Sequence, residues 1–228
     1  MLVKPDGTCV IRIARSEMGQ GTLTGLAQLV AEELECGWKN VATEFVTPGQ
    51  NHARKRAWGE MSTGGSRGIR ISHDYVRRGG AVARTMLLAA AAEQLKVPVA
   101  ELGVADGIVT HAATGRKTSY GKLAGAASKL PVPDAKSVKL KVPSEWKLAG
   151  KPMKRLDTAA KLDGSLIYAI DFSLPGMLEM PVAVPTTTVT ANGLRGDARP
   201  RRGRRATTRA RCPPPRRPAA HPISQGPG

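Results

Sequence analysis

Two stretches of this 228-residue chain repeat apolar side chains at spacings of three and four. In the first, Leu23, Leu26, Ala27, Val30 and Leu34 fall on one face, which predicts a helix over residues 22–36 with Gly37 as its stop. The second, residues 75–96, is rich in Ala, Leu, Met and Arg and is followed by Pro98. Its MLLAAAA half, residues 86–92, is apolar on every side and so predicts burial between layers rather than a surface position. Asp74, just ahead of it, is expected to cap that helix, a better assignment than a catalytic pair with His73.

Strand patterns surround these helices. Leu2 and Val3, the Pro5-Asp6-Gly7-Thr8 turn and residues 9–13 read as a hairpin, and residues 41–46 form a short β-type segment closed by Pro48-Gly49. Residues 107–111 and the Thr114-Gly115-Arg116 turn read as another hairpin, and Ser119 is placed to cap a short helix over 120–129. Behind the Asp163-Gly164 turn, residues 166–172 alternate as a strand. The order predicts an α+β fold, a mixed sheet with packed helices, in which both long helices lie on the sheet holding Cys9 and Ile13.

Three regions lack such periodicity. Residues 51–70 read as one long polar loop, which in a compact domain is usually functional or disordered. Residues 131–154, with Pro and Lys interleaved, read as an extended linker between a first domain, 1–130, and a partial second one, 155–185. From residue 186 onward Arg, Pro, Ala and Gly dominate; such a tail cannot bury enough apolar surface to order itself. The same four residue types are what GC-rich codons give out of frame, so the tail reads as the product of a shifted frame.

Charge sharpens that division. The net charge is +17, and residues 181–228 hold ten Arg against one acid, Asp197, so the tail is far more basic than the body. If expressed as written, the tail would bind polyanions without sequence specificity and with steep salt dependence, a reading that competes with any enzymatic one. Lys55 and Arg56 lie beside Trp58, but one aromatic is no stacking platform, so no specific nucleic-acid site is expected in the body. Cys9, Cys36 and Cys212 show no metal or iron–sulfur spacing, and Cys9 and Cys36 read as small apolar residues. No apolar run is long enough to span a membrane, and no export leader opens the chain, which as written reads as cytoplasmic.

Candidate chemistry concentrates in Ser16-Glu17-Met18-Gly19-Gln20-Gly21, which runs straight into the first helix. Gly19 and Gly21 let the backbone adopt positive φ and approach a ligand closely. Gln20 offers both a donor and an acceptor to a planar heterocycle, and the helix behind offers first-turn N–H groups to an anion. Ordinary strand-to-helix turns share this spacing. A second cluster, Thr63-Gly64-Gly65-Ser66, carries two hydroxyls and freely oriented amides, which suit a phosphate.

The EMGQG loop with its helix, the AEEL at residues 31–34, the TGGS turn, RRGGAVARTMLLAAAA and KRLDTAAKLDGSLIYAIDFSLPGML together resemble the molybdenum hydroxylases. This is the xanthine dehydrogenase and aldehyde oxidase superfamily, and the likeness is to the large subunit of the isoquinoline 1-oxidoreductase type. The resemblance runs from about residue 2 to about residue 185 and implies a molybdopterin cofactor, in a nucleotide form, bound by Gly19, Gln20, Gly21, Thr63, Gly65 and Ser66. Relatives keep a small hydroxyl residue two positions after that serine, where this chain has Gly68. The resemblance also implies hydroxylation of N-heterocycles or aldehydes with oxygen from water, a separate small [2Fe–2S] subunit, and a hammerhead-like α/β domain opening near Arg155. Relatives often carry a twin-arginine leader and a periplasmic address. The family's catalytic glutamate lies in later regions, so the chain reads as a fragment, inert alone, with no catalytic residue to assign; Glu17, Glu60 and His73 do not qualify.

Overall fold

The computed structural model describes residues 1–177 and, beyond them, a short ladder in which Val189–Thr190 pairs antiparallel with Gly193–Leu194. Residues 1–172 form one compact unit, and that ladder belongs to a second unit. Apart from the ladder, the tail expectation for residues 186–228, and Cys212 with it, lies outside the described residues.

In the first unit, strand β1 (Leu2–Val3) pairs antiparallel with β2 (Cys9–Ile13) across the expected turn. Helix α1 (Thr22–Leu34) then carries the chain to β3 (Val41–Phe45), which pairs parallel with β2 in register Ile11 to Thr43. A parallel pair needs such a crossover, and α1 supplies it. The region expected to be one long loop contains two short helices, α2 (Pro48–Ala53) and α3 (Arg67–Arg70). Thr47 and Gln50 form a reciprocal capping box with Pro48 at the first turn, a start signal that the polar composition concealed.

Helix α4 (His73–Leu95) follows, and then β4 (Leu102–Ala105), β5 (Ile108–His111) and β6 (Lys117–Ser119) form an antiparallel meander ending in α5 (Tyr120–Ala127). Leu87, Ala90 and Ala91 are buried as expected for the MLLAAAA stretch. Helix α4 packs along α1 and α5 rather than chiefly on the β1–β2–β3 sheet. The helices come close at Gly80, where an added Cβ would stand 2.6 Å from the Val30 carbonyl oxygen. Tyr120, fully buried, donates its hydroxyl to the Leu34 carbonyl at 2.7 Å and so ties α5 to the end of α1.

Three local expectations are corrected. Asp74 does not cap α4; it accepts from Arg78 at 2.7 Å one turn further on. Ser72 holds the cap position, but its hydroxyl is committed to Arg15 and Tyr75. Ser119 precedes α5 without a side-chain cap bond. Residues 166–172 form no strand; Ala169–Asp171 make a 3-10 turn, with Ile167, Tyr168 and Ile170 exposed. Their alternation finds no partner strand among the described residues, and an unpaired strand has no ladder to hold it.

Residues 139–149, part of the expected linker, lie bound across the first unit. Glu32 Oε2 accepts from the amides of Lys147, Leu148 and Ala149, and Glu32 Oε1 accepts from Lys141 Nζ at 2.8 Å. Glu33, fully buried, pairs with Arg77 and accepts from the Lys141 amide. The paired acids of the AEEL motif therefore point inward and strap this segment across α1 and α4.

Candidate cofactor-binding site

Residues 14–21 join β2 to α1. Gly19 and Gly21 hold φ of 100° and 83°, the left-handed region that their spacing anticipated. Nothing lies within 4 Å of a Cβ built on Gly19, so that side of the loop is open. Gln20 turns back on the loop: its Oε1 accepts from the Met18 amide at 2.6 Å and its Nε2 donates to the Ser16 carbonyl at 2.8 Å. One amide hydrogen is left to point outward.

Of the amides at the start of α1, expected to be free for an anionic ligand, those of the cap residue Gly21 and of Leu23 are taken. Glu17 Oε1 accepts from the Gly19 and Gly21 amides at 2.9 Å, and its Oε2 accepts from Leu23 at 3.0 Å. Arg155 completes the arrangement, donating to Glu17 at 3.0 Å and to the Gly19 carbonyl at 2.8 Å. Burial pushes the Glu17 carboxyl up, but the Leu23, Gly21 and Gly19 amides and the Arg155 charge outweigh it, and its pKa falls below the ordinary value. The helix N-terminus thus selects an anion, and the chain supplies one itself. Asp157 sits beside Arg155 at 2.9 Å and is driven well below the carboxylate range by that guanidinium and Lys161.

The second cluster lies against the same end of α1. The Ser16 amide donates to the Thr63 hydroxyl at 2.9 Å, leaving the Thr63 hydroxyl hydrogen to donate elsewhere. Gly65 and Ser66 are both left-handed, with φ of 56° and 54°, which sets a sharp turn ahead of α3. Gly68 packs on α1: a Cβ there would stand 3.0 Å from Thr22 Oγ1. The absent side chain is what lets the turn approach the helix. The Ser16–Thr63 bond and the Gly68–Thr22 contact thus hold the second turn against the loop that leads into α1.

Arg15 underlies both loops. It is 5% exposed and donates to the Ser72 hydroxyl at 3.2 Å, to the Glu60 carbonyl at 2.8 Å and to the Ser62 carbonyl. A cleft of about 460 Å³ opens beside the first loop, lined by Glu17, Gly19, Leu23, Phe45, Asp157 and Tyr168. No group of three or more potential metal ligands occurs among the described residues, and none of their helices is long and apolar enough to cross a membrane.

With that geometry in place, comparison with known proteins decides the family. The model of the Molybdopterin cofactor-binding domain matches residues 1–173. The chain belongs to that family. The molybdopterin cofactor-binding domain is also 34% identical, over 81% of this chain, to a membrane-bound aldehyde dehydrogenase [pyrroloquinoline-quinone] of Gluconacetobacter polyoxogenes. It is 30% identical over 77% of the chain to the beta subunit of isoquinoline 1-oxidoreductase of Brevundimonas diminuta, and 33% identical over 80% to a nicotinate dehydrogenase subunit of Pseudomonas putida. The chain spans only 23%, 27% and 15% of the lengths of these three relatives. Among solved structures, CO dehydrogenase from Oligotropha carboxidovorans overlaps 55% of this chain and 15% of its own, at 21% identity and a TM-score of 0.45. Quinoline 2-oxidoreductase from Pseudomonas putida 86 overlaps 59% and 17%, at 19% identity and a TM-score of 0.37.

Within the domain, Glu17, Arg155 and Arg15 are the structural members of the site that sequence reading missed. An acid a few residues ahead of a helix start was a legible signal for Glu17. Arg155 lies 138 residues from Glu17, and nothing in the local pattern announces that pairing.

Proposed function

We propose that this domain holds part of a molybdopterin cofactor within a molybdenum hydroxylase acting on aldehydes or N-heterocycles. The observation that carries the reading is the convergence of the Gly19–Gly21 and Thr63–Ser66 loops, tied by the Ser16–Thr63 bond. The residues present fit such a group in part. The open face at Gly19 and the outward amide hydrogen of Gln20 suit a planar heterocycle, and Gly21 sets the backbone between them. The hydroxyls of Thr63 and Ser66 and the turn at Gly65 suit a phosphate, whether or not a nucleotide is attached. The helix dipole of α1 is not available for that role, because Glu17 occupies its first turn.

When bound, the cofactor would accept two electrons as substrate carbon is hydroxylated with oxygen from water. The chain's own part is to seat and orient it. Names of the relatives favour an aldehyde or an aromatic N-heterocycle as substrate, and the family resemblance implies a small iron–sulfur subunit carrying electrons away. Grafting residues 1–173 into the matching region of an isoquinoline 1-oxidoreductase large subunit tests the reading. Ser66→Ala should lower molybdenum and pterin retention by about one to two decades, since a charge-assisted bond contributes roughly 1.5–3 kcal/mol, and Gln20→Ala, which removes a neutral bond, by up to about one decade. Ser128→Ala, at the distant end of α5, should change nothing. Full retention in both loop variants would overturn the assignment.

A further inference from the structure

Arg15 presents a charge imbalance that the cofactor reading does not use. Its Nε and one terminal nitrogen reach three neutral acceptors, Ser72, Glu60 O and Ser62 O. Among the described residues no carboxylate lies within ion-pairing distance of it, and its other terminal nitrogen has no partner. A guanidinium this buried normally faces an anion, because neutral oxygens satisfy its hydrogens without balancing its charge. Glu17, the nearest acid in sequence, is committed to three amides and to Arg155.

Arg15 borders a cleft of about 410 Å³ whose walls are Ile13, Ala14, Phe45, Val46, Pro48 and Met61, with Ser16 and Glu17 at the edge. The volume lies in the range of small-ligand sites, and the lining pairs a mostly apolar wall with the Arg15 cation and with Glu17, whose charge Arg155 balances. We propose that this cleft binds a small organic anion: an apolar, one-ring body in the Phe45–Met61 wall and a carboxylate or phosphate head on the free face of Arg15. The proposal is independent of whether the neighbouring loops hold molybdopterin. An inorganic anion satisfies only the head and should bind more weakly than an organic one. The planar Arg fork accepts either acid group through two oxygens.

The test is amide-resolved NMR titration of the full chain with benzoate, phenyl phosphate, inorganic phosphate and benzamide as separate arms. Saturable shifts at Ser16, Phe45 and Val46 are expected with benzoate, phenyl phosphate or both, at affinities of about 1 mM or tighter. Which of the two binds identifies the acid group. Benzamide, equal in shape and uncharged, should bind at least tenfold more weakly, as should inorganic phosphate. Phe45→Glu adds a carboxylate to the cleft wall at a half-exposed position while keeping Arg15 and its bonds, and should weaken the organic anion at least tenfold. Equal binding of benzamide, unchanged binding in Phe45→Glu, or no saturable shift at the cleft in any arm would overturn the proposal. Binding that survives Phe45→Glu but vanishes when the ten arginines beyond residue 181 are removed would place the anion on the tail instead.

Discussion

The Glu17 carboxylate meets the Arg155 guanidinium at 3.0 Å while also closing the first turn of α1. One side chain therefore caps a helix and joins it to a segment 138 residues away. Replacing Glu17 with Gln keeps the shape and removes the charge, and should lower unfolding free energy by about 1–3 kcal/mol at neutral pH. Because the folded-state pKa of Glu17 is depressed, its stabilisation is complete above the unfolded carboxyl value and is lost as pH falls through the folded one. Urea denaturation of both proteins between about pH 3 and pH 7 should show the curves converging at the acid end. A difference that stays constant with pH would contradict this origin.

Gly80 should tolerate no side chain. Gly80→Ala forces a Cβ to 2.6 Å from the Val30 carbonyl oxygen and 3.0 Å from Glu33 Cβ, so α1 and α4 must separate. A loss of roughly 1–3 kcal/mol or more is expected. Gly79→Ala is the control: nothing lies within 4 Å of its added Cβ, and an interior helical glycine gains about 0.5–1 kcal/mol on becoming alanine. Opposite signs from adjacent residues, read as melting temperatures, are the expected result.

Glu32 should govern access to the strap. Burial raises its pKa, but Lys141 and the Leu148 and Ala149 amides pull it below the ordinary value. Glu32→Ala leaves the Lys147, Leu148 and Ala149 amides without their acceptor and Lys141 with Glu35 alone, a loss on the order of 1–3 kcal/mol. Limited trypsin digestion should then cut at Lys139 or Lys147 well before any site in α4. Unchanged cleavage order would show that the strap is held by other contacts.

The sequence announced its two long helices and most strands because each is a local, repeated pattern: Leu23 to Leu34 and Leu87 to Ala91 could be read directly, whereas α2 and α3 were hidden in polar composition. The two candidate loops were also visible, since glycine marks the positive φ at positions 19, 21 and 65, although Ser66 adopts it as well. What stayed hidden depends on distant partners. The parallel pairing of β2 with β3, the strap on Glu32 and Glu33, and the bond from Ser16 to Thr63 leave no trace in neighbouring residues. The missing strand at residues 166–172 has the same cause in reverse, a correct local alternation with no edge to complete it. Arg15 was passed over because a single arginine after a strand looks solvated until its burial is seen.

Cys9 and Cys36 should behave as core residues. Both are buried, Cys9 completely, and the adjoining Cys9 thiol together with burial pushes Cys36 well above the ordinary thiol value. A thiol held protonated is a poor nucleophile. In a Cys212→Ser background, an aromatic disulfide reagent at pH 8 should label neither cysteine in the native protein and both in urea. Rapid labelling under native conditions would show that the β2–α1 core opens readily.

The strap has a consequence for the order in which the molecule can be made. Glu32 and Glu33 leave the ribosome more than a hundred residues before Lys141 and Leu148, their partners in the finished structure. Until those residues emerge, sealing the α1–α4 interface would trap two carboxylates in a dry interior, one with no base opposite it. The nascent N-terminal half is therefore held in a hydrated, loosened form, and the late arrival of a short basic stretch acts as the lock. Synthesis halted before residue 141 should yield a collapsed chain that binds hydrophobic dye; synthesis carried past residue 149 should not.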